Sequence, residues 1–200
     1  MSDLENDGRV SPLGEGLVYE DILPLRVCEV EAEIPAPRLL SIQESNEEIL
    51  RIIAALDEHH HAEGTDEDAA HHSQDLVRIE SKLDLLLDMV ANMLSHQLAI
   101  PPELPVRLNA HAIQWRQAGP PPAEGRQVLL DLYLHRKYPR PLVLPGRVAS
   151  VEQNQDDYLA VVRFEGMSEA VQNWLEKLIF RQHRRSVAHA RRRQQVGEES

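Results

Sequence analysis

Val106-Arg107-Leu108-Asn109-Ala110-His111-Ala112-Ile113-Gln114-Trp115 opens the stretch whose reading decides the fold. Its composition is that of a strand, and further strand-like segments follow at short intervals. Val128-Leu129-Leu130-Asp131-Leu132-Tyr133-Leu134 reads as a mostly buried strand. Leu142-Val143-Leu144, Arg147-Val148-Ala149-Ser150-Val151 and Tyr158-Leu159-Ala160-Val161-Val162-Arg163-Phe164 come next. Turn chemistry separates them: Gly119-Pro120-Pro121-Pro122 with Gly125, then Pro145-Gly146, then Gln153-Asn154-Gln155-Asp156-Asp157. Short strands at this spacing predict a small barrel or a sandwich. Ser168 then reads as the cap of a helix running through Arg185, with Val171, Trp174, Leu175, Leu178 and Ile179 on one face.

Upstream, Ala99-Ile100-Pro101-Pro102-Glu103-Leu104-Pro105 is a hard stop and a stiff connector. Before it, Leu76, Ile79, Leu83, Leu86, Val90 and Met93 fill consecutive a and d positions of a heptad, with Leu87 and Leu94 widening the stripe at e. A helix from Ser73 to Leu98 would be roughly 39 Å long, more than a small barrel can cover. The stripe predicts self-association, most simply as a tetramer, because its width suits a bundle better than a two-stranded coil. An intramolecular helical hairpin is the alternative.

An earlier stripe, Leu39, Ile42, Asn46, Ile49, Ile53, Leu56 and His60, predicts a first helix capped at Ser41, with Glu44 completing a capping box. It suits an amphipathic helix lying on a globular core, or a member of the bundle in which Asn46 fixes register. The histidines His59-His60-His61 and His71-His72 lack an ordered ligand spacing, so the stretch reads as a solvated turn rather than a metal site. Leu17-Val18-Tyr19 and Ile22 to Val30 have strand composition, and Pro24 demotes that run to an edge or to a strand start. Residues 1–16 read as a disordered lead-in and 191–200 as a frayed tail.

The formal net charge of -12 argues against nonspecific binding of the whole molecule to phosphate backbones. That charge is uneven. Residues 1–100 hold 22 acids and 6 bases and residues 101–200 hold 11 and 15, which predicts different tasks for the two halves. Arg181, Arg184, Arg185, Arg191, Arg192 and Arg193 make the C-terminus basic, a favourable charge at a helix C-terminal end. A phosphate or nucleic-acid contact is the less favoured reading. Cys28 is the only cysteine, so no internal disulfide is available, and it reads as buried and inert. Trp115 and Trp174 read as core residues. No run approaches the ~18 apolar residues of a membrane span, and the N-terminus lacks a secretory pattern. Cytoplasmic location is the expectation. Nucleophile-elbow, phosphate-loop, HExxH and paired-carboxylate patterns are absent from the sequence, so no enzymatic activity is expected.

Taken in order, these segments resemble a PilZ domain. Arg107 to Trp115 resembles the family's LSxxGhxh segment, with h apolar; Arg147-Val148, Val162 to Glu169 and Leu178 to Arg185 fit the end of its barrel and its C-terminal helix. Tyr19 to Leu25 and Lys82 to Asp88 resemble the atypical, tetramer-forming branch, in which long helices interrupt the domain. The resemblance spans residues 17–190. It implies an α+β protein: a small antiparallel β-barrel with a long inserted helical hairpin or coiled coil at 39–98, and a main barrel with its C-terminal helix at 104–190.

The resemblance further implies cyclic di-GMP signalling. PilZ domains commonly bind the dinucleotide through an RxxxR stretch ahead of the first strand and a [DN]xSxxG stretch on it, where guanidinium groups pair with phosphates and stack on guanine. Here Arg107 stands where Asp or Asn belongs, Asn109 where Ser belongs and Ala112 where Gly belongs. RxxxR occurs only as Arg136/Arg140 and Arg181/Arg185, neither ahead of the first strand. The expectation is a scaffold that binds no cofactor and serves an unidentified signalling protein. The alternative is a cyclic di-GMP receptor that draws on Arg136, Arg140, Arg181, Arg184 and Arg185.

Overall fold

The computed structural model describes residues 13, 14, 16–59, 70–155 and 157–197. Six strands close an antiparallel barrel in the order β1-β2-β3-β6-β5-β4. They are β1 (Tyr19–Glu29), β2 (Glu103–Leu108), β3 (Ala112–Gln117), β4 (Gln127–Leu132), β5 (Leu142–Asn154) and β6 (Asp157–Phe164). Three helices accompany them: α1 (Ala36–His59), α2 (Ala70–Gln97) and α3 (Glu169–Gly197).

β1 closes the barrel. Its first half, Tyr19 to Pro24, pairs with β2, and its second half, Leu25 to Glu29, pairs with β4. Neither the edge position nor the strand start read from Pro24 holds. Pro24 sits where the strand passes from one neighbour to the other, a point where its missing N–H is tolerated within a closed sheet, and its carbonyl accepts from Tyr133 N–H at 3.1 Å. Pro145-Gly146 behaves alike. The sequence reads it as a break, but β5 runs straight through, pairing with β4 from Leu142 to Arg147 and with β6 from Gly146 to Asn154. Gly146 permits this because a Cβ there would lie 2.5 Å from Val162 Cγ1.

The segment read as a single strand at 106–115 is two strands joined by a tight turn at 109–111. Asn109 makes that turn. Its Oδ1 accepts from the N–H groups of His111 and Ala112, both at 2.8 Å, so the side chain stands in for a backbone acceptor.

The barrel interior alternates as a pleated sheet requires. Leu23, Leu25, Val106, Leu108, Ile113, Trp115, Val128, Leu130, Leu132, Leu142 and Leu144 are buried in one core. Trp115 is a core residue as expected; Trp174 packs half-buried against that core. Cys28 is exposed, not buried. With Leu25 and Val27 turned to the inside, the period of two sends Cys28 outward.

α1 begins at Ala36, not at a Ser41 cap. Pro35 carbonyl accepts from Arg38 and Leu39 N–H, and Pro37 fits the first turn, where no N–H is needed. Ser41 lies inside the helix. The buried face of α1, with Ile49, Leu50 and Ile53, joins Val171, Leu175, Leu178 and Ile179 of α3 in the barrel's core, and α1 packs against α3 and β5. Ser168 caps α3 as read: its Oγ accepts from Val171 N–H at 3.2 Å. The helix continues past Arg185 to Gly197.

α2 is different. Among the described residues it packs along neither the barrel strands nor α1. Its 28 residues project for about 42 Å at the helical rise. Residues 1–12 and 15 of the lead-in, 60–69 of the histidine-rich turn, Asp156 and 198–200 of the tail lie outside the described residues.

Candidate functional site

The three positions aligned with the dinucleotide motif are occupied by structure. Arg107 Nε donates to Glu20 Oε1 at 2.8 Å across the β1–β2 pair, and its Nη1 donates to Gln114 Oε1 at 3.2 Å. Asn109 is 2% exposed. Besides building the turn, it donates through Nδ2 to the Leu13 carbonyl at 2.7 Å. Ala112 is buried in the barrel wall opposite Arg163. Asn109 is thus a fastener between the β2–β3 turn and the chain entering β1.

Most of the alternative arginines hold α1. Arg181 Nη1 donates to the Ala54 carbonyl at 3.3 Å, and Arg185 donates to Asp57 Oδ1 at 2.9 Å and the Asp57 carbonyl at 3.1 Å. One turn apart on α3, the two guanidinium groups satisfy carbonyls of the last turns of α1. Arg140 reaches Glu48 Oε2 and Ser45 Oγ, each at 3.1 Å, near the middle of the same helix. Arg184 lies 6.0 Å from the centre of the Phe180 ring. Arg136 is extended into solvent, 3.7 Å from Glu103.

Arg136 and Arg185 nonetheless line one cleft, of about 790 Å³, together with Lys137, Tyr133, His135 and Tyr19. Acids temper it: Asp21, Asp57 and Glu103 lie in the same wall. Tyr19 is held protonated well above the usual tyrosine range, chiefly by burial and then by its hydrogen bond to Asp21. Burial likewise raises the Asp131 carboxyl on β4, against the pull of Arg26.

The remaining candidate is the stripe of α2. Ile79, Leu83, Leu86, Val90 and Met93 are each more than half exposed, and Leu85 and Met89 extend the apolar surface. The Leu76 side chain lies outside the described residues. Lys137 Nζ, 3.7 Å from Asp88, ties α2 to the β4–β5 loop. Asn46, read as a register residue within the stripe of α1, is buried and bonded to β5 instead. Sequence reasoning missed Asp57 and Glu20, whose roles depend on partners distant in the chain.

Among the described residues no cluster of His, Cys, Asp or Glu is suited to a metal ion, and no helix is long and apolar enough to cross a membrane. The fold is a small closed β-barrel carrying a long helix with an exposed apolar stripe. Residues 50–192 match the family described as atypical PilZ domain, cyclic di-GMP receptor, and the chain belongs to that family. A solved structure of a pathogenic protein from Xanthomonas campestris, described as a tetrameric PilZ domain self-assembled via an unusual helical bundle, shares its fold. The two are 22% identical with a TM-score of 0.65, over 86% of this chain and 91% of that one. No curated protein matches the chain.

Proposed function

We propose that this chain is a non-catalytic cytoplasmic scaffold of cyclic di-GMP signalling, which assembles as a homotetramer through α2 and presents its barrels to a protein partner. The exposed apolar face of α2, from Ile79 to Met93, carries the reading. A contiguous apolar surface of this length on a water-soluble helix marks an interface, and its heptad spacing selects another helix as the partner. The helical bundle described for the Xanthomonas campestris protein supports four copies. Replacing Leu83 and Leu86 by Asp places unpaired charges in the seam, at a cost of several kcal/mol. Light scattering should then show the monomer mass with the barrel still folded. The wild-type mass in that double variant would refute the assembly.

A second reading is favoured by the cleft that brings Arg136 and Arg185 together with Lys137 and Tyr133. It makes the chain a cyclic di-GMP receptor with a relocated pocket. Isothermal titration separates the two. The scaffold reading expects no heat at micromolar dinucleotide, because Arg107 and Asn109 are already bonded within the protein. Micromolar binding that Arg136→Ala abolishes would establish the receptor.

A further inference from the structure

We infer that a groove between α3, the β2–β3 turn and the chain entering β1 docks an acidic amphipathic segment of a protein partner. This deepens the scaffold reading and rests on it. The groove encloses about 400 Å³, and its lining combines the apolar Leu17, Ile179 and Phe180 with His111, Glu176 and Lys177. Its walls are fixed. Asn109 fastens the chain at Leu13, and Gln172 Nε2 lies 3.2 Å from His111 Nδ1, which ties the turn to α3. Leu13 itself is buried. The partner would therefore meet a preformed surface, which lowers the ordering cost of docking.

Two large apolar side chains stay open in this groove, Leu17 and Phe180, the latter half exposed beside buried Leu175, Leu178 and Ile179 of α3. Beside them stand Lys177, 5.0 Å from the Trp174 ring centre, and Arg184 at the Phe180 ring. Among the described residues neither cation pairs with a carboxylate, whereas Arg185 of the same helix does. An aromatic anchor with adjacent arginine is the composition of an interface hot spot. Unpaired cations flanking an apolar trough match a segment with apolar residues on one face and carboxylates on the other.

Fluorescence anisotropy on the full chain tests this with a labelled helical peptide, leucines at alternating third and fourth positions and glutamates between. The same peptide with lysines for glutamates is the control. The acidic peptide should bind, and both the control peptide and the Phe180→Ala or Lys177→Glu/Arg184→Glu variants should bind about tenfold more weakly. Equal affinity for the two peptides, indifference to these substitutions, or tighter binding of a single-stranded oligonucleotide would overturn the inference. So would acidic-peptide binding seen only after removal of residues 1–12, which would make the chain its own occupant. A changed oligomeric mass in Phe180→Ala would likewise assign the groove to a second copy. Assembly is read from mass and docking from anisotropy, so failure of one is distinguishable from failure of the other.

Discussion

Asn46 and Val143 exchange two hydrogen bonds: the Asn46 amide donates to the Val143 carbonyl at 2.8 Å, and its Oδ1 accepts from the Val143 N–H at 3.0 Å. The pair explains how α1 stays on the barrel. β6 begins to pair with β5 only at Gly146, so Val143 has no strand beside it on that side. The side-chain amide supplies the donor and acceptor that a strand would have supplied. A polar residue that would be a cost in a coiled-coil seam is here a satisfied buried group at the mouth of a barrel.

Asn46→Ala should therefore destabilise the fold by about 2 kcal/mol, because both Val143 backbone groups lose their partner in a part-buried site. Urea unfolding at fixed protein concentration reads this, since assembly makes the midpoint depend on concentration. Asn46→Leu should be no better than Ala, as volume is not what is missing. A midpoint unchanged in both variants would show that the Asn46–Val143 pair does not hold α1 on the barrel.

Arg185→Ala should cost about 3 kcal/mol, since it leaves the Asp57 carboxylate, 8% exposed, without its partner. Arg184→Ala, on the outer face of the same helix, should change stability little. Hydrogen exchange gives the local signature. Amides in the last turns of α1 should lose protection in the first variant and keep it in the second. Equal effects of the two substitutions would contradict the clamp.

Alkaline pH should expose Tyr19. Its proton is held more tightly in the folded protein than in the unfolded chain, whose tyrosine titrates near 10.0. The stability this gives is complete below that value and is lost as pH rises towards the folded-state value, because the unfolded state then sheds a proton the folded state keeps. Across that window wild type should lose about 1.4 kcal/mol more per pH unit than Tyr19→Phe, the slope for one proton. Parallel alkaline unfolding curves for the two proteins would remove Tyr19 from the linkage.

Several features of this chain are legible from local spacing. The turn signals at Gly119 to Gly125 and at Gln153 to Asp157 separate strands, the stripe from Ile79 to Met93 marks a helix with one exposed apolar face, and Ser168 caps α3. Each depends on neighbours within about a turn of helix or a strand repeat, which is the range over which sequence periodicity carries information. The tertiary structure alone decided the rest. It placed β1 between β2 and β4, carried β5 through Pro145-Gly146, turned Cys28 outward and moved Asn46 from a helical seam to the barrel mouth. It also committed Arg181 and Arg185 to α1. Those outcomes pair residues far apart in the chain, 97 positions for Asn46 and Val143 and 128 for Asp57 and Arg185. A residue's spacing from its neighbours fixes the face on which it lies, but the group that meets it there is set by chain closure and packing across the whole barrel.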